Sequence, residues 1–208
     1  MIKSASEIRS AARAALSGRW SEAAMLTFVY CIVAWAFSAL VGGLEYVQQG
    51  LGTVATLLML PLSWGYTVTF LSNARGENDP FNVSRIFDGY KDFGRIFITI
   101  LLMQVYTFLW TLLFIIPGII KSLSYAMTPF VLRDNPEMKN NEAIELSMKM
   151  MNGHKGDLFW LYLTFIGWGI LCIFTFGIGY FWFAPYVQAS TAQFYEEVKA
   201  DYELKRER

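Results

Sequence analysis

Charged residues fall in clusters along the chain, and long apolar runs separate the clusters. Residues 23–44 are 22 positions without Asp, Glu, Lys or Arg, and residues 46–74 are 29. Residues 96–120 are 25 such positions, 122–132 are 11, and 158–195 are 38. A helix rising 1.5 Å per residue needs about 20 apolar residues to cross the hydrocarbon of a bilayer. The first two runs therefore predict one spanning helix each. The last is too long for one helix and is interrupted by Thr175-Phe176-Gly177-Ile178-Gly179, whose two glycines predict a tight hairpin. The middle stretch carries a second turn signal, Pro117-Gly118, with 96–116 before it and 119–132 after it. This fourth segment is short, which predicts a partial crossing or a crossing through thinned bilayer. The expected fold class is all-α, a polytopic membrane bundle of about six transmembrane helices arranged as three hairpins.

Each hairpin is preceded by a segment patterned as an amphipathic helix. Residues 6–16 place Ile8, Ala12, Ala15 and Leu16 on one face and Arg9 and Arg13 on the other. Residues 83–93 gather Val83, Ile86, Phe87 and Tyr90. Residues 141–151 open at an asparagine N-cap, carry Glu142 and Glu145 early, and align Ile144, Met148 and Met151 before Gly153. Such helices suit the headgroup layer. Amphipathic helix, span, outer turn and span then make one unit, repeated at 4–75, 83–135 and 139–198 within a single integral membrane domain, 1–208. Gly65-Tyr66, Ser124-Tyr125 and Pro185-Tyr186 mark matching places on the return spans. A plainer reading stays open, because glycine and interfacial aromatics recur at any membrane boundary.

The basic residues set the orientation. Lys3, Arg9, Arg13 and Arg19 precede the first span, and Arg75, Arg85, Lys91 and Arg95 lie between the second and third. Arg133, Lys139, Lys149 and Lys155 lie between the fourth and fifth, and Lys199, Lys205, Arg206 and Arg208 follow the sixth. With six spans, 16 of the 17 basic residues fall in alternate loops, so those loops and both termini are expected in the cytoplasm. Ala34-Trp35-Ala36 has the form of a signal cleavage site, but 22 residues including Glu7 and Glu22 precede the apolar run. A signal n-region is short and basic, so the first span is read as an uncleaved anchor. The bacterial inner membrane is the expected location.

Composition narrows the function classes. Hydrophobic residues are 55% and charged residues 16% of the chain, against about a quarter charged in soluble domains. Seventeen basic and 17 acidic residues give zero net charge, which argues against nucleic acid as a partner. One histidine and two cysteines are too few for a structural zinc site, and no cofactor is expected. Cys31 and Cys172 fall mid-span and read as small apolar residues.

The second half carries a family resemblance. Its residues are Ile116-Pro117-Gly118-Ile119-Ile120-Lys121, Tyr125, Asn135-Pro136, Glu142-Ala143-Ile144 with Ser147, Met151 with Gly153-His154-Lys155-Gly156-Asp157-Leu158-Phe159, Phe165-Ile166-Gly167-Trp168 and Pro185-Tyr186. This pattern resembles an uncharacterised bacterial family of integral membrane proteins, domain of unknown function nine-seven-five. It covers residues 85–198 and extends to the N-terminal hairpin in general form. That family is similar in turn to the membrane domain fused to some glycerophosphodiester phosphodiesterases. The resemblance implies six spans and no soluble domain, and it lends no catalytic residues.

Two places carry candidate chemistry. Lys121 is the one basic residue outside the cytoplasmic clusters, and Glu45 is the one acid of the outer loops. They are expected to form an outer ion pair, against the simpler reading that Lys121 snorkels to the surface. His154 and Lys155, in the densest polar motif, are expected to contact a lipid headgroup phosphate. Gly153 and Asp157 are equally explained as a helix stop and a helix start. No span carries an Asp or Glu, which disfavours a coupled transporter. A lone histidine without a buried acid disfavours an enzyme. The expectation is a non-catalytic protein that binds membrane lipids, another membrane protein or a second copy of itself. The alternatives are a transporter of a hydrophobic or amphipathic solute and a membrane enzyme acting on lipid headgroups.

Overall fold

A capping box starts the first helix. The Ser4 side chain accepts from the Glu7 backbone N–H, and the Glu7 carboxylate accepts from the Ser4 N–H at 2.8 Å. The helix α1 (Ala5–Leu16) buries Ile8, Ala12 and Leu16, the face the pattern predicts. The computed structural model describes residues 2–45 and 57–207, with side chains at all of these except 40–45. Among the described residues there is no strand. The helices that follow are α2 (Trp20–Glu45), α3 (Leu60–Ala74), a 3₁₀ segment (Val83–Tyr90), α4 (Phe93–Leu113), α5 (Ile115–Tyr125) and α6 (Thr128–Asp134). Then come α7 (Asn141–Met150), α8 (Lys155–Leu163), α9 (Ile166–Phe174) and α10 (Tyr180–Arg206).

Among the described residues, four stretches are long and apolar enough to cross a membrane: Trp20–Ala39, Phe93–Leu113, Ile115–Asp134 and Lys155–Phe174. The third joins α5 to α6 and the fourth joins α8 to α9. The described part of the first return segment, α3, has 15 residues. The start of the predicted second span, 46–56, lies outside the described residues. In α10 the apolar first half gives way to a charged second half beyond Tyr195.

Three local expectations need correction. The turn expected at Pro117-Gly118 sits instead at Phe114, which is extended at φ −155°. Pro117 lies in the first turn of α5, where an amide N–H would have no helical partner anyway. Gly118 is required for packing, since a Cβ there would come within 2.3 Å of Thr111 Oγ1 on α4. The fourth segment is consequently 20 residues, not a short fragment. The segment 83–93 is 3₁₀ over Val83–Tyr90, and it buries Ile86 and Gly89, three residues apart, while Val83, Phe87 and Tyr90 stay exposed. Asn140 makes no side-chain cap on α7; its backbone N–H donates to Thr99 Oγ1 at 3.0 Å instead.

Each amphipathic segment packs against a helix elsewhere in the chain: the 3₁₀ segment on α3, α7 on α5, and α1 on α10. On the 3₁₀ segment, Gly89 meets Pro61 of α3, and Ile86 meets Gly65. A Cβ on either glycine would stand 2.2 Å from the opposing carbonyl oxygen, so the two backbones touch. On α7, the Ser147 hydroxyl donates to the Ser124 carbonyl of α5 at 2.8 Å. At the N-terminus, Lys3 pairs with Glu197 of α10 at 2.6 Å, and Trp20 packs on Tyr186. Tyr66 of α3 stacks on Tyr30 of α2 and hydrogen-bonds Thr27 of the same helix at 2.9 Å.

The bundle is polar at one end and apolar at the other. Phe70, Met127, Phe130, Leu132, Phe194 and Tyr195 are fully buried near the charged end. The opposite tips, Leu112 to Ile116 and Ile173, Phe174 and Phe176, are large apolar side chains that are exposed. Exposed apolar surface on that scale marks contact with lipid or with another protein.

Candidate functional site

Three helices, α3, α6 and α10, converge on one carboxylate. Asp134 ends α6, and its side chain is 8% exposed. Arg75, just past α3, donates to both its oxygens, at 2.7 and 2.6 Å. From α10, the Tyr195 hydroxyl donates at 2.9 Å and Lys199 at 2.7 Å. Arg75 also reaches Glu196 at 2.9 Å. Hydrogen bonding to Asp134 raises the Arg75 guanidinium further above its ordinary range. This cluster holds three helices by charge-assisted bonds, with each partner answered.

A second knot ties the loop after α3. Arg133 donates to the Val68 carbonyl at 3.0 Å and to Glu77 at 2.6 Å, and Arg85 donates to Ser72 at 2.8 Å and to Glu77 at 3.2 Å. Burial pushes the Glu77 carboxyl up, but Arg133 and the hydrogen bonds from Arg85, Ser72 and Arg133 outweigh it and hold the carboxyl below its ordinary value. Arg95 closes the end of α6. It donates to the carbonyls of Leu132, Asn135 and Met138 at 3.1, 3.4 and 3.3 Å and pairs with Asp92.

His154 has partners that the sequence alone leaves unassigned. Its Nε2 lies 3.0 Å from Asp201 on α10, and its Nδ1 lies 3.4 Å from Asp157 on α8. Asp201 is 47 residues away, so only the fold joins the two. Hydrogen bonds from Lys205 and His154 hold the Asp201 carboxyl below its ordinary value. Lys155, the other expected headgroup contact, opens α8 and is half-buried. The imidazole therefore bridges α8 and α10 with its ring nitrogens engaged.

Lys121 lies on α5. Its ammonium sits over the Trp110 ring, 5.0 Å from the centroid, and 5.9 Å from that of Tyr125. Met148 Sδ of α7 is 3.9 Å away. These contacts hold the charge by cation–π attraction. The Glu45 side chain lies outside the described residues, and with it the expected Glu45–Lys121 pair. Asp134, Arg75 and Arg95 carry the geometry, although the sequence reading treats Arg75 and Arg95 only as loop charges and does not single out Asp134. The one available signal was Tyr195 and Lys199, four apart on α10 and so on one helical face.

The arrangement joins elements, and no group of three or more His, Cys, Asp or Glu side chains among the described residues could hold a metal ion. A family model described as "Protein of unknown function (DUF975)" matches residues 1–124 and 112–202. The chain belongs to this family. No match is found among curated proteins or solved structures. The match takes in residues 1–124 as well as the second half in which the resemblance was read, and both parts carry long apolar helices.

Proposed function

We propose that this DUF975 protein is a non-catalytic, multi-pass protein of the bacterial inner membrane that holds lipid or a membrane partner. It has six spans, and both termini and the charged end of the bundle face the cytoplasm. The observation that carries the reading is the polarity of the bundle. Its ionic clusters, joined by Asp134 and Glu77, lie at one end, while exposed Phe, Leu and Ile side chains crown the other. The division of 16 of 17 basic residues into alternate loops supports the orientation.

Three repeated units, 4–75, 83–135 and 139–198, belong to the same proposal. Gly65 and Ser124, small residues that precede buried tyrosines, are each where the next amphipathic segment lands. The third return helix, bearing Tyr186, meets the first unit. The similarity to the membrane domain fused to some glycerophosphodiester phosphodiesterases fits a supporting role beside an enzyme. Purification in mild detergent followed by native mass spectrometry tests the function. A retained lipid or protein is the expected result, and a bare monomer under all conditions would contradict it.

A second reading has one observation in its favour. His154 between Asp157 and Asp201 is a paired imidazole of the kind used in headgroup chemistry. Turnover of a phospholipid headgroup that is lost in His154→Gln would support the enzyme.

A further inference from the structure

Two of the three seams between units are closed. Gly65 and Gly89 bring backbones together at one, and Ser147 bonds the Ser124 carbonyl at another. The seam between the last hairpin and the first unit touches at Lys3–Glu197 and Trp20–Tyr186 and is only partly filled beside them. It holds a cavity of about 330 Å³ lined chiefly by Trp20, Trp168, Leu171, Trp182 and Phe183, with Arg13 among its walls. That volume is within the range of small-molecule sites.

We infer that this seam holds one anionic phospholipid, its phosphate on Arg13 and one acyl chain along the tryptophan-lined groove. The inference rests on the reading of the protein as one that holds lipid, and it names the lipid class and the place. Arg13 is the one charged residue lining the cavity. Among the described residues it forms no hydrogen bond or ion pair, whereas Arg75, Arg85, Arg95 and Arg133 all have protein partners. The indole N–H of Trp64 donates to the Pro129 carbonyl, but those of Trp20, Trp168 and Trp182 have no protein acceptor among the described residues. Trp168 and Trp182 are 53% and 49% exposed. One unanswered cation, three free donors and an apolar trough have the polarity of a phosphate, ester carbonyls and a hydrocarbon chain. Arg13 lies in the last turn of α1, the amphipathic helix that runs at the charged end, which sets the phosphate at the interface. A segment of another protein would have to match a single cation beside an otherwise apolar wall, and charge complementarity favours the lipid.

The test uses the full-length protein, delipidated in mild detergent. Brominated phosphatidylglycerol and brominated phosphatidylcholine with the same chains are titrated in, and quenching of tryptophan fluorescence is followed alongside native mass spectrometry. One phosphatidylglycerol per chain is expected, retained in preference to phosphatidylcholine. Arg13→Gln should weaken phosphatidylglycerol about fivefold and leave phosphatidylcholine unchanged. Leu171→Trp, which fills the groove, should weaken both. Thermal melts of each variant show that the fold persists, which matters because Arg13 also suits the C-terminal end of α1. Equal retention of the two lipids, unmoved by either substitution, would mean annular lipid only and overturn the inference. A dimer that excludes lipid from the groove would overturn it as well. Either result leaves the broader proposal standing if another lipid or protein is retained; a bare monomer removes both.

Discussion

At Gly65 and Gly89 an added methyl group has nowhere to go, because it meets a carbonyl oxygen of the facing segment at 2.2 Å. Gly65→Ala and Gly89→Ala should each destabilise the protein by about 1–3 kcal/mol in detergent melts, as overpacking does. Gly94, with open space around its Cβ position in the first turn of α4, is the control: Gly94→Ala should be neutral or stabilising by up to about 1 kcal/mol. Asp134 gives the largest single effect. Asp134→Asn leaves Arg75 and Lys199 facing each other without their carboxylate, at a cost of about 3–5 kcal/mol. Glu77 gives a pH dependence of defined sign. Its carboxyl is lowered in the folded protein, so its stabilisation is complete above the ordinary value of 4.5 and is lost as pH falls through the lowered folded value. Melting temperature should fall on acidification below about pH 4.5 in the wild type, and more shallowly in Glu77→Gln. Parallel curves for the two proteins would show that Glu77 does not report the loop's stability.

Elements differ in how plainly the sequence announces them. α1 was legible from its apolar face over 6–16, of which Ile8, Ala12 and Leu16 go inward, while the Ser4–Glu7 box that starts it appears in the structure. The turn between α9 and α10 was legible from Gly177, which takes φ +84°, beside Phe176 at φ +51°. The α4–α5 turn was misplaced because proline and glycine signal a turn and equally suit the first turn of a helix, and the choice depends on Gly118 meeting Thr111. The 3₁₀ form of Val83–Tyr90 was hidden for a similar reason. A helical pattern fits both periods, and the close approach of α3 selects the one that turns Ile86 and Gly89 inward. Asp201, the Nε2 partner of His154, and the partners of Asp134 lie 47 to 65 residues away, and no local pattern carries that distance. On α7, Met148 is half-buried and Lys149 exposed. Spin labels there should therefore differ in accessibility to a water-soluble relaxant, with Lys149 the more accessible. Equal accessibility would contradict the packing of α7 against α5.

In the whole molecule α3, α6 and α10 meet at the charged end, and the turns α4–α5 and α9–α10 at the other end are apolar. Clusters of basic residues between apolar runs made this polarity readable, because bilayer thickness and charge are coarse constraints that act on composition. The pairing of elements was less readable, since contacts such as Lys3–Glu197 depend on how the ring of helices closes. The central claim is that the charged end is cytoplasmic and the tips face outward. Cysteine labelling in intact cells tests it most directly, in a background where Cys31 and Cys172 are replaced by alanine. A single cysteine at Phe176, which is 98% exposed at the α9–α10 turn, should react with a membrane-impermeant maleimide from outside. Single cysteines at Asn78 and Asn140, in loops at the charged end, should react only after the membrane is permeabilised. Labelling of Asn78 or Asn140 in intact cells, with Phe176 protected, would contradict the account.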